Sequence, residues 1–258
     1  MAATVGAPFG RNLDRPIVFN GPMRRALLTA LACSAASCAL AAPAQATTVT
    51  ELGDFKDPPM PAADCPGQPN TSDCQSIAQV SGFQVQVGKH SVPFKIRKPG
   101  YVIAFTLRMS KPNPDQVNFF KTTYGSTPEV RLDVIRQVGK SSAKEYKLLK
   151  QTQAFKMQSY FGSTQSYALH TPFRVHKDDI IALTVPTWLP AFAHSLPSDN
   201  AWRTSHTGSE CAATTPPSAA QEKVGTKKVY GCFYRGARVL YSVTFVPDPQ
   251  VTNTAAAR

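Results

Sequence analysis

Both tryptophans of the chain fall close together, in the run Pro186-Thr187-Trp188-Leu189-Pro190-Ala191-Phe192 and in Asp199-Asn200-Ala201-Trp202-Arg203 just beyond it. Rings stiffened by Pro186 and Pro190, beside Asp199, Asn200 and Arg203, are the ingredients of a ligand site: flat apolar surface with a few directed polar groups. A sugar face stacks on such a surface. Trp188, Phe192, Asp199, Asn200, Trp202 and Arg203 are therefore the candidate binding set. A competing reading places Trp188, Phe192 and Trp202 as core that closes one end of a β-sandwich, because large aromatics are usually highly buried. Nucleic acid would use the same aromatic and basic ingredients.

Other chemistry finds little support. The histidines, His90, His170, His176, His194 and His206, include no H-x-x-x-H pair, and there is no C-x-x-C, which argues against structural zinc. His176 with Asp178 and Asp179 could hold a cation at a strand turn, but two adjacent aspartates between strands also describe an ordinary solvated turn. There is no G-x-S-x-G serine turn. A glycosidase needs only two carboxylates from distant positions, and among Asp115, Glu129, Asp133, Asp199 and Glu210 no pair stands out. No catalytic residue, metal-ligand set or cofactor is assigned, and the reading is non-catalytic.

Residues 23–46 read as an export signal. Arg24 and Arg25 precede an Ala/Leu-rich middle, and Ala44-Gln45-Ala46 is a small-residue cleavage site. The segment is broken by Ser34, Ser37 and Pro43, whereas a membrane helix needs about 20 predominantly apolar residues. Residues 1–22 resemble neither a signal start nor a folded element, so they form a leader or Met23 is the true start. A lipid on Cys33 or Cys38 is the alternative address; neither has Leu three places before it.

Cleavage after Ala46 leaves 212 residues, enough for one domain. It also leaves four cysteines, Cys65, Cys74, Cys211 and Cys232, an even set in an exported chain. Three connectivities are open, and local closure of Cys65 with Cys74 and of Cys211 with Cys232 is the expectation. The formal charge of +12 becomes +9 without Arg11, Arg15, Arg24, Arg25 and Asp14. A basic exported protein suits anionic polymers of the cell envelope or a glycan, and an extracellular address makes nucleic acid an unexpected partner. The cations are mostly scattered; Lys140, Lys144, Lys147, Lys150 and Lys156 come nearest to a cluster.

Residues 47–80 are rich in Pro, Asp and Ala and form an expected arm. From Phe83 the pattern turns to period two, with Phe83, Val85 and Val87 alternating with Gln84 and Gln86. Further strand candidates span 92–97, 101–109, 130–138, 146–152, 155–161, 167–169, 173–175, 180–185, 229–234 and 239–246. Turn signals such as Pro99-Gly100, Pro112-Asn113-Pro114 and Lys177-Asp178-Asp179 separate them. No long amphipathic helix is apparent, although 141–149 could make two turns. About ten strands with frequent turns predict an antiparallel, jelly-roll-like β-sandwich over 81–246, with a long loop at 208–228 and a disordered tail at 247–258.

On strands such as Tyr101-Val102-Ile103-Ala104-Phe105-Thr106-Leu107 and Asp179-Ile180-Ile181-Ala182-Leu183-Thr184-Val185, the chain resembles exported β-rich proteins of high-GC Gram-positive bacteria, a group of uncharacterised activity. That resemblance covers 83–246 and implies architecture alone. The expected function is a secreted β-sandwich protein binding a glycan or cell-envelope polymer. The alternatives are a surface-interaction protein acting through its basic exterior and an extracellular hydrolase with two carboxylates.

Overall fold

A computed structural model describes residues 48–65, 74–213 and 218–249. In chain order the strands are β1 (Thr50–Leu52), β2 (Ile77–Val87), β3 (His90–Ser91), β4 (Gly100–Arg108), β5 (Glu129–Val138), β6 (Glu145–Gln151), β7 (Phe155–Lys156) and β8 (Thr164–Val175). They continue with β9 (Ile180–Leu189), β10 (Phe192–Ala193), β11 (Asn200–Thr204), β12 (Lys227–Val229), β13 (Cys232–Arg235), β14 (Arg238–Val239) and β15 (Tyr241–Pro247), and one helix, α1 (Pro114–Tyr124), joins β4 to β5. The expected signal at 23–46 and the leader before it lie outside the described residues, as does the tail from 250.

The protein is all-β and sandwich-like. A four-stranded sheet runs β1-β15-β4-β8, and a larger one runs β12-β6-β5-β9-β2-β11-β13, with β3 added to β2 and β7 to β5. The pairings are antiparallel. Irregular register in the larger sheet, between Ala78 and Val80, Val134 and Ile135, and Ala201 and Trp202, bends its strands. The sheet curls as a result. Leu132, Val134, Ile181 and Leu183 pack inside with Val102, Phe105, Leu107 and Val243 of the smaller sheet, all nearly inaccessible. Each such side chain contributes about 1.5–3 kcal/mol of transfer free energy. The run 180–185 is buried on every residue because β9 lies between β5 and β2 and is covered on both faces.

Several local expectations are corrected. Pro112-Asn113-Pro114 is not a turn between strands but the start of α1. Asn113 Oδ1 accepts from Gln116 N at 2.9 Å and Gln116 Oε1 accepts from Asn113 N at 2.8 Å, a reciprocal cap with Pro114 opening the first turn. The helix buries Phe120 against Trp188, ring centres 5.0 Å apart. Residues 141–149 make no two-turn helix: Ser141–Ala143 is a single 3-10 turn, Lys144 takes φ 50°, and β6 begins at Glu145. The candidate 92–97 is mostly irregular, and 155–161 holds two strand residues and a 3-10 turn, whereas 167–169 and 173–175 are parts of one strand, β8. The strands outnumber the expected ten because short pieces such as β3, β7, β10 and β14 carry too few residues to show a period.

Residues 48–65 are built into the sandwich. Thr50, Glu51 and Leu52 pair with Phe245, Thr244 and Val243. Arg238, only 2% exposed, donates to the carbonyls of Pro59 at 2.9 Å and Gly53 at 3.0 Å, and Arg108 donates to those of Met60 and Pro61. Burial lowers the Arg238 pKa to about 10. At the other end Arg174 grips Asp248 with two hydrogen bonds.

Candidate functional site

Cys65 is bonded to Cys74 and Cys211 to Cys232, the local pairing. Cys211 lines a cavity of about 470 Å³, and Gln75, next in sequence to Cys74, lines it too; the volume is within the range of small-molecule sites. One wall begins at Gln75, directly after Cys74, and continues into β2. The facing wall is the 3-10 turn Gly208–Ala212, which Cys211 ties to the first residue of β13. Between them β11 and β13 pair with Trp202 opposite Tyr234 and Thr204 opposite Cys232, so alternate residues of both strands share the cavity side. The turn that follows β10 brings in His194 and Ser195.

The electrostatics centre on Asp64 and His194. The Asp64 carboxylate accepts from the His194 backbone N–H at 3.0 Å and pairs closely with ring Nδ1. Desolvation raises the Asp64 pKa, while the hydrogen bonds and charge of His194 pull against it. With Nδ1–H held by the carboxylate, Nε2 is left as the basic nitrogen. Across the cavity, Glu210 accepts from Ser218 N at 3.1 Å and Thr207 N at 3.2 Å, bonds that lower its pKa. His206 is buried with Nε2 at 3.1 Å from the Ser218 carbonyl, and burial lowers its pKa, favouring the neutral ring. The Tyr234 hydroxyl donates to the Cys211 carbonyl at 2.9 Å, and burial raises its pKa. Trp202 Nε1 is buried without a hydrogen-bond partner.

The six residues singled out from sequence do not form one platform. Trp188 is fully buried; its Nε1 donates to the Gly125 carbonyl at 3.1 Å, and its ring packs on Phe120 and Phe161. Phe192 and Trp202, 8% and 6% exposed, meet at 5.5 Å and line the cavity, with Tyr234 stacked on Trp202 at 5.4 Å. Gly82 backs the indole: a Cβ there would come within 2.9 Å of Trp202 Cζ3. Both tryptophans are thus core, as the competing reading held, and Trp202 reaches the cavity only in part. Asp199 and Asn200 line a separate pocket of about 320 Å³ beside Pro58, Pro59 and Arg238. Arg203 sits at 5.1 Å over the Phe233 ring and donates to the Tyr230 carbonyl. The Asp64–His194 pair was not legible, because the two residues lie 130 positions apart and neither has a local motif.

The remaining candidates are held in structural contacts. At the 176–179 turn, Asp179 is buried and binds Arg136 Nη2 at 2.6 Å and His176 N at 2.8 Å, and Asp178 pairs with Lys95 at 2.7 Å. Among the described residues no three His, Cys, Asp or Glu side chains gather to hold a metal. Asp133 is fully buried, and desolvation raises its pKa to about 8. Thr184 Oγ1 donates to it, Ser81 Oγ lies 2.5 Å from Thr184 Oγ1, and Gln221 N donates to Ser81 Oγ at 2.8 Å. This chain, extended by the Tyr230 hydroxyl onto Gln221 Oε1 at 2.9 Å, ties segment 218–226 to β2, β9 and β5.

No protein-family model, curated protein sequence or solved structure matches the chain. The site therefore rests on its own geometry.

Proposed function

We propose that the chain is a secreted, non-catalytic β-sandwich protein that binds a glycan-type ligand in the disulfide-framed cavity. The observation that carries the reading is a cavity lined by Phe192, Trp202 and Tyr234 together with Gln75, His194 and Glu210, with the bridged Cys211 in its wall and Cys74 directly preceding Gln75. Each cross-link closes a short local loop, Cys211 fastening the 3-10 turn to β13 and Cys65 holding the segment that leads into β2, which lowers the ordering cost of binding. Sugar hydroxyls would pair with the imidazole, amide and carboxylate, and sugar C–H groups would meet the aromatic edges. Disulfides persist in oxidising compartments, in keeping with the export signal. No helix among the described residues is long and apolar enough to cross a membrane.

The Asp64–His194 pair favours a second reading, a hydrolase in which Nε2 takes a proton from water. Calorimetric titration with a panel of mono- and disaccharides tests the first reading. Binding that weakens about tenfold in His194→Ala supports it, on the scale of one lost hydrogen bond to a charged or strongly polar group. A silent panel, or turnover of any bound sugar, overturns it.

A further inference from the structure

The opposite side of β11 and β13 carries two arginines gathered on one exposed ring. Arg203 stands directly opposite Phe233 across the ladder. Arg235 follows Phe233 by two positions on the same strand, which places both on one face. The guanidinium carbons of Arg203 and Arg235 lie 5.1 and 5.2 Å from the ring centre. They are thus at most about 10 Å from each other, close to one Debye length at physiological salt, and act as a joined positive charge.

Neither arginine has an acidic partner among the described residues. The arginine ion pairs there join Arg131 to Glu222, Arg136 to Asp179 and Arg174 to Asp248. Arg108 and the buried Arg238 are engaged by carbonyls of residues 53–61. Arg203 Nη1 donates to the Tyr230 carbonyl at 2.9 Å and Arg235 Nη1 to the Ser198 carbonyl at 3.3 Å. One bond apiece orients each side chain and leaves most of its donors for an outside acceptor. Stacking on Phe233 and one tether each remove rotamer freedom before any ligand arrives, so less is lost per contact formed.

We infer that Arg203, Phe233 and Arg235 form a binding site for the carboxylates of an acidic polysaccharide, on the outer face of β11 and β13 and adjoining the cavity only at Arg235. A planar guanidinium fork matches a carboxylate in bidentate fashion. Two forks held on one ring engage successive acidic groups along a polymer, and the net charge of +12 draws a polyanion toward the surface. Single-stranded nucleic acid binds chiefly by stacking bases on open aromatic faces, and here the guanidiniums already occupy the Phe233 ring.

Binding of the full chain to polygalacturonate, with neutral dextran and poly(dT) as comparators, tests the site. Polygalacturonate binds and dextran does not, and affinity falls steeply as salt rises. The paired substitution Arg203→Gln with Arg235→Gln weakens polygalacturonate binding about tenfold or more, the scale of a lost charge-assisted contact. Arg203→Lys with Arg235→Lys, which keeps charge and loses the fork, gives an intermediate loss and serves as the readout should the glutamine pair fail to fold. Unchanged affinity in both pairs, an equal loss in a Lys140→Gln, Lys223→Gln control, or tighter binding of poly(dT) through the same arginines overturns the inference. Because Arg235 also borders the cavity, the single substitution Arg203→Gln keeps the two sites distinguishable: it weakens polygalacturonate binding and leaves binding of a saccharide in the cavity unchanged.

Discussion

Asp64 and His194, 130 positions apart, are joined twice, because one carboxylate oxygen receives both the backbone N–H and the ring Nδ1 of the histidine. The contact fastens the turn after β10 to the residue before Cys65, and so fixes one wall of the cavity relative to a disulfide. It also selects the tautomer that leaves Nε2 unprotonated. Asp64→Asn offers an amide in place of one carboxylate oxygen and frees the ring to change tautomer. Nitrogen NMR of the imidazole registers the switch, and stability falls by about 0.5–1.5 kcal/mol, the net worth of an ordinary hydrogen bond. An unchanged tautomer contradicts the role given to Asp64.

Asp133 gives the fold a pH dependence of defined sign. Its folded pKa, raised to about 8 by desolvation, stands above the ordinary carboxyl value of 3.8. Below that value both folded and unfolded chains hold the proton. Between 3.8 and about 8 the unfolded chain releases it while the folded chain retains it, so the contribution of Asp133 is lost as pH rises, at up to about 1.4 kcal/mol per unit. Asp133→Asn has no proton to release. Its stability relative to the parent chain, followed by urea unfolding from pH 5 to pH 9, rises with pH; parallel curves refute the assignment.

Asn113→Ala removes the cap that starts α1, at a cost of about 1 kcal/mol. Since Phe120 of α1 stacks on Trp188, fraying of the helix also alters the emission of that tryptophan. A stable variant with unaltered emission shows that packing alone holds the helix.

Replacing Cys211 and Cys232 together by serine opens a loop of 21-residue separation and destabilises the fold by about 3 kcal/mol on the chain-entropy model. Thermal melting reports the loss. Saccharide affinity falls in the same variant at temperatures where it remains folded, because one cavity wall is released; unaltered affinity separates the bridge from the site.

How far the sequence was legible depends on the range over which each feature is encoded. The β9 run, 180–185, and the two short disulfide loops are local, and they read correctly. The cap of α1 was local too: Asn113 and Gln116 lie three apart, with Pro114 at the first helical position, but two flanking prolines made the segment resemble a turn. The pairing of Thr50–Leu52 with β15 and the clamp of Arg238 on Gly53 and Pro59 join opposite ends of the chain and leave no periodic trace. The candidate site divides likewise. Phe192 and Trp202 do meet at the cavity, whereas Trp188, Asp199, Asn200 and Arg203 were grouped by sequence proximity and are dispersed, because β9, β11 and the turn before β11 carry them to different faces and pockets.

The two indole N–H groups offer the most direct test of the cavity as the binding site. Trp188 Nε1 is bonded to the Gly125 carbonyl and Trp188 is not among the residues lining the cavity, whereas Trp202, with Nε1 unpartnered, is. A proton–nitrogen NMR spectrum resolves one signal from each, assigned with Trp188→Phe. Titration with a bound saccharide shifts the Trp202 signal and leaves that of Trp188 in place. A saccharide that binds without moving the Trp202 signal, or that moves Trp188 alone, contradicts the account.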